Sequence, residues 1–186
     1  MKPYFEYLEI KDLFEISRGI LELLPSEEYD KTFSKFHDPK IFKNIPGLID
    51  VIEKIGPYEQ VDSVYVIYQD PSGFIPLHID GYGAEDGRGV VLNIPLQACE
   101  HCFTRVYRKK ENLTKLNSEI IDLPDYLVQE EANHLVFNLS DLELVAEICN
   151  KDQPMLLNTL EPHTSVNNGT NTQILASFWF NPLLLW

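Results

Sequence analysis

The chain has 186 residues, 44% hydrophobic and 24% charged, with a formal net charge of −14. That balance excludes wholesale disorder and suits one globular domain with a sizeable core. The acidic excess argues against binding the phosphates of DNA or RNA, and leaves a small-molecule or peptide substrate open. The N-terminus, Met1-Lys2-Pro3-Tyr4-Phe5-Glu6, lacks the apolar run of a signal peptide, and no stretch approaches a membrane span. The expectation is a cytoplasmic protein that does not enter a membrane; composition is silent on oligomeric state.

Taken in chain order, residues 1–57 read as a mostly helical support. Ile10, Leu13, Phe14, Ile16, Ile20, Leu21 and Leu24 recur at helical spacing. Pro25-Ser26-Glu27-Glu28 ends one helix and can cap the next, with Phe33 and Phe36 continuing an apolar stripe. A further short helix runs from Ile45 to about Ile55, stopped by Gly56-Pro57. The character then changes. Val61 to Gln69 is rich in β-branched and aromatic residues and reads as a strand, with Asp70-Pro71-Ser72-Gly73 as a turn and Phe74 to Asp80 as a second strand. A glycine-rich loop, Gly81 to Gly89, precedes strands at Val90–Leu96 and Phe103–Arg108. Residues 109–131 are polar and read as a surface insertion. Further strands are expected at His134–Leu139, Leu142–Cys149, Met155–Leu160 and Gln173–Phe180. About eight short strands after helices predict a mainly β, antiparallel double-sheet barrel over 58–186.

Cysteines occur at 99, 102 and 149. An odd, small number suits a reducing compartment. Cys99-Glu100-His101-Cys102 can be half a zinc site or a redox pair, but no second CxxC or HxxxH follows. Its place between two apolar runs reads as a hairpin turn.

The chemistry concentrates in His78-Ile79-Asp80. Alternate residues of a strand project to one side, so His-x-Asp aims an imidazole and a carboxylate at one point. A further histidine would complete two imidazoles and one carboxylate, a face suited to non-haem Fe(II) that leaves about three positions for reactants. Of the five histidines, His37 falls in the helical region and His101 in the CxxC turn. His134 starts a strand and competes with His163, which follows Asn158-Thr159-Leu160-Glu161-Pro162 and precedes the last strand. Taken singly, His78 reads as a surface histidine beside an Asp-Gly turn and His163 as a loop cap. Taken together, they favour a metal.

Pro76-Leu77-His78-Ile79-Asp80-Gly81, Val91-Leu92-Asn93-Ile94-Pro95-Leu96 and Asn158 to Asn168 together resemble the Fe(II)/2-oxoglutarate-dependent dioxygenase superfamily, in its small microbial and phage members. The resemblance covers about Val61 to Phe180. It implies a double-stranded β-helix, a jelly roll of cupin-like form, with His78, Asp80 and His163 as iron ligands and catalytic residues. Many members carry an arginine about ten residues after the distal histidine to hold the cosubstrate's far carboxylate; here that position is Gln173. The four arginines are Arg18, Arg88, Arg105 and Arg108. Arg105 is the first substitute for that role and Arg88 the second. Tyr68 and Asn93 are the further cosubstrate-binding candidates. Ser165 and Asn167 flank the distal histidine. The expected function is an Fe(II)- and 2-oxoglutarate-dependent hydroxylase; the alternative is a non-catalytic cupin-like protein that binds a metal or ligand without turnover.

Overall fold

The computed structural model describes residues 4–24, 33–79, 89–110, 118–121, 134–137, 139–150 and 153–180. In chain order these form β1 (Phe5–Tyr7), α1 (Leu13–Leu23), β2 (Phe33–His37), α2 (Leu48–Ile52), β3 (Val61–Gln69) and β4 (Phe74–Ile79). They continue with β5 (Val90–Gln97), β6 (Cys102–Lys109), β7 (Ser118–Ile121), β8 (His134–Phe137), β9 (Leu142–Cys149), β10 (Met155–Asn158), β11 (His163–Asn167) and β12 (Gln173–Phe180). Single turns of 3-10 helix occupy Pro39–Phe42, Tyr58–Gln60 and Leu139–Asp141.

The strands form two antiparallel six-stranded sheets. The first has the order β1-β10-β5-β12-β3-β2 and the second β7-β8-β4-β11-β6-β9. This is the expected mainly β, cupin-like jelly roll. Among the described residues, no helix is long and apolar enough to cross a membrane.

Strand alternation decides what each face of the first sheet meets. On β12, Ala176, Phe178 and Phe180 turn outward and pack with Val64, Leu92 and Ile94 against the helical layer. α1 presents Ile16 and Ile20, one helical turn apart, and α2 presents Leu48 and Ile52 at the same spacing. Ser17 fixes α1 to the sheet by donating its hydroxyl to the Pro95 carbonyl at 3.0 Å. The opposite residues of β12, Gln173, Leu175 and Ser177, face the second sheet across the interior. There Val106, Ile148, Met155 and Leu157 make a separate apolar cluster.

Several sequence expectations need correction. Phe33 and Phe36 lie on β2 rather than a helix; Phe36 pairs in register with Tyr65 on β3, and their rings meet edge-to-face at 5.8 Å. Two aromatics spaced by three share a face in a helix and not in a strand, so periodicity favours the helix; pairing with β3 overrides it. α2 is one short turn that ends at Ile52, not Ile55. The Cys99–Cys102 segment is not a hairpin, because β5 and β6 belong to different sheets. It turns a corner between them, and the two cysteines are joined in a disulfide while Cys149 is a free thiol. Of the expected insertion at 109–131, the described part includes β7, which pairs with β8. The glycine-rich loop lies outside the described residues except for Gly89.

Tyr58 joins the helical layer to β3. Its buried hydroxyl donates to the Pro39 carbonyl at 2.6 Å, and burial, with Asp38 nearby, pushes its pKa up to about 12. The unfolded chain therefore loses this proton first, near 10, so stability present below pH 10 drains away as pH rises towards 12. Denaturant titrations across pH 7–12 will show Tyr58→Phe losing about 1 kcal/mol at neutral pH, with a flatter decline above pH 10 than the wild type.

Candidate metal centre

β4 and β11 are neighbours in the middle of the second sheet, and their register sets His78 directly opposite His163. Directly opposed residues of an antiparallel pair project to the same face. The two imidazoles accordingly lie together, centroids 4.4 Å apart and planes inclined by 48°, both buried. Two imidazoles are thus brought together by strands whose histidines are 85 residues apart in the chain (163 − 78).

The backbone sets each ring's proton. His78 Nδ1 donates to the Pro76 carbonyl at 2.6 Å, and His163 Nδ1 donates to the Glu161 carbonyl at 2.9 Å. A carbonyl oxygen only accepts, so the proton of each neutral ring sits on Nδ1 and the basic lone pair on Nε2. This is the outer-shell arrangement that orients metal-bound imidazoles and raises their basicity.

A local irregularity aims His78. Between the pairs His163↔His78 and Ser165↔Ile75 the register shifts, so Pro76 and Leu77 on β4 face the single residue Thr164 on β11. Proline cannot donate to the ladder, which is why it is accommodated at such a bulge. The Thr164 hydroxyl closes the bulge by donating to the Ile75 carbonyl. Burial raises the pKa of the Glu161 carboxyl above the usual carboxylate range.

Asp80, the expected carboxylate ligand, lies outside the described residues, as does Arg88. Among the described residues there is no group of three or more His, Cys, Asp or Glu arranged to hold a metal. Of the other histidines, His37 ends β2 in the first sheet with its ring against Phe42, and His101 is exposed at the corner before β6. His134 opens β8, which pairs with β4 through Val136↔His78.

The remaining candidates separate by face. Asn93 is buried on the interior side of β5, where its Oδ1 accepts from the Ser177 hydroxyl. Gln173 is fully buried and faces the interior from β12. Tyr68 does not: its register partners continue the row Val64, Val66, Ala176 and Phe178, which faces the helices. The tyrosine that faces inward is Tyr65, opposite Ser177 and against Trp179 at 5.6 Å. Sequence reasoning missed Tyr65 because Val61 to Gln69 is apolar on both faces and carries no phase. Arg105 is also turned away. It alternates with Thr104 and Val106, and on the outer face its Nε donates to Glu147 at 2.7 Å. The pair is cross-strand and part-exposed, so it is a surface ion pair.

The sequence resemblance implies two groups, Fe(II) and 2-oxoglutarate, and the residues present fit them unequally. A pair of imidazoles oriented through Nδ1 fits Fe(II). The far carboxylate of 2-oxoglutarate fits less well: among the described side chains no lysine or arginine projects between the sheets.

No family model and no curated protein matches the sequence. Solved structures do. EvdO2 from Micromonospora carbonacea var. aurantiaca, complexed with 2-oxoglutarate, superposes with a TM-score of 0.61 at 13% identity, over 95% of this chain and 85% of that one. HygX from Streptomyces hygroscopicus, with nickel and 2-oxoglutarate bound, gives 0.54 at 14% identity over 97% and 83%. Oxalate decarboxylase from Lactobacillus farciminis gives 0.42 at 13% identity; the match takes in 89% of this chain but only 33% of that longer one. At these identities the likeness to EvdO2 and HygX establishes the fold alone.

Arg105→Ala tests the assignment of faces. Thermal unfolding will show a loss under about 1 kcal/mol, the range of exposed ion pairs, and not the larger loss of a buried charge left unpaired.

Proposed function

We propose that the chain is a mononuclear Fe(II) oxygenase of the 2-oxo-acid-dependent class, and that it hydroxylates a small-molecule or peptide substrate. The observation that carries the reading is the register pair His78–His163, each ring bonded through Nδ1 to a backbone carbonyl. His78 and His163 would hold the metal through Nε2, with Asp80 as the third ligand. Bound Fe(II) would supply dioxygen activation, which side chains alone do not perform.

The chain's own contribution is positional. The carbonyls of Pro76 and Glu161 keep both imidazoles in the ligating tautomer. The bulge at Pro76-Leu77 offsets β4 against β11 next to His78, and both histidines are buried. EvdO2 and HygX hold 2-oxoglutarate in their structures, and we extend an oxo-acid co-reductant of that kind to this chain.

A second reading is a cupin-like protein that keeps the metal without turnover. It is favoured by the uncharged interior at Gln173.

Anaerobic equilibrium dialysis will find one Fe(II) per chain, with His78→Ala, Asp80→Ala and His163→Ala each weakening binding about a hundredfold or more. Oxygen uptake by the iron-loaded protein will depend on a 2-oxo acid and release carbon dioxide in equal amount. Iron retained with no decarboxylation of any 2-oxo acid would instead establish the second reading. Wild-type iron affinity in both histidine variants would remove the site altogether.

A further inference from the structure

Beyond His163, the interior carries a ring of neutral polar side chains drawn from both sheets. Ser165, two residues along β11 and so about 7 Å from His163, donates its hydroxyl to Gln69 Oε1 at 2.9 Å. Gln69 on β3 is the register partner of Gln173 on β12, and both are fully buried. Gln173 Nε2 donates to the Asn150 carbonyl at 3.3 Å, and the Asn150 side chain bonds the Thr104 hydroxyl at 3.0 Å. Thr104 is in turn the register partner of Ser165.

Counting donors and acceptors gives the ring a polarity. The Gln69 amide is used at both atoms, since its Nε2 donates to the Gly73 carbonyl at 3.1 Å. Thr104 and Asn150 satisfy each other. Within the ring, Gln173 Oε1 is the atom left buried without a hydrogen-bond partner among the described residues. A buried acceptor of this kind is costly until a donor reaches it. A carboxylate brought here would add acceptors to an acceptor, with no described cation to neutralise it, and an unpaired buried charge is more costly still.

We propose that Gln173 is a specificity residue, and that the site takes a 2-oxo acid whose far end is an uncharged hydrogen-bond donor, such as a carboxamide, in preference to a dicarboxylate. The inference rests on the Fe(II) reading above and narrows its co-reductant. It follows that Gln173 is a selective replacement for a cation rather than a defect in the site.

The test uses two non-reactive oxo-acid analogues that differ only at the tail, N-oxalylglycine and its primary amide, N-oxalylglycinamide. Each is titrated calorimetrically into the anaerobic Fe(II)-loaded protein. The amide will bind at least about tenfold tighter, the discrimination expected when one buried hydrogen bond is made rather than a charge stranded. Gln173→Leu will bring the two affinities to within about twofold, and the wild-type comparison stands even if that variant does not fold. Equal binding, or tighter binding of the carboxylate, overturns the proposal. So does binding of neither by protein that retains iron, which makes the ring architecture alone and leaves the metal reading intact. Failure to retain iron at all is the separate result that sinks the metal reading and this inference with it.

Discussion

The register of β4 against β11 is the constraint on which the site depends. A strand slipped by one residue turns every side chain to the opposite face, so His78 and His163 meet only if this pairing is fixed. Its far end is held by Asn167. The Asn167 side chain donates to the Gln69 and Asn171 carbonyls at 2.7 and 2.9 Å, and its backbone exchanges hydrogen bonds with the Ser72–Gly73 turn. Asn167 thus ties the end of β11 to the β3–β4 connection and to the approach to β12. Nearer the histidines, Thr164 closes the bulge on β4. β6 holds the other edge of β11 in an unbroken register, His163 opposite Val106.

The interior between the sheets is divided accordingly. One part is filled by Val106, Ile148, Met155 and Leu157, which need only be dry and well packed. Another carries Gln69, Thr104, Asn150, Ser165 and Gln173, where every polar atom must find a partner or be left at a cost. The histidine pair shares this interior, and its protons are already committed to backbone carbonyls. A histidine pair and a hydrogen-bonding surface are therefore presented together on strands. Such preorganisation suits a site that must hold reactants without rearranging.

The jelly roll was legible in the chain because strand-forming runs and turn residues alternate from Val61 onward, and these runs became β3 to β6, β8 to β10 and β12. The histidine pair was legible because His78 ends one strand and His163 stands close before another. What was hidden is phase and partnership. Phe33 and Phe36 became β2 only because β3 offers an edge to pair with. Tyr68 and Tyr65 could not be told apart in a run that is apolar on both faces. Arg105 looked like an anchor until its register placed Glu147 beside it on the outer face. The proline in Phe74–Ile79 marks an irregular strand, but the strand it bulges against lies nearly ninety residues downstream and has no local signal. The corner at Cys99–Cys102 read as a hairpin because the sequence does not say that β5 and β6 join different sheets.

The central claim is that strand register and two backbone carbonyls prepare a pair of imidazoles for a metal. Long-range proton–nitrogen correlation spectra of the protein labelled with nitrogen-15 at its five histidines test it directly. The account predicts that His78 and His163 are both in the Nδ1-protonated tautomer in metal-free protein, and that one equivalent of Zn(II) shifts the Nε2 resonance of both. Protonation on Nε2 in either ring, or Nε2 resonances that ignore the metal, would contradict it.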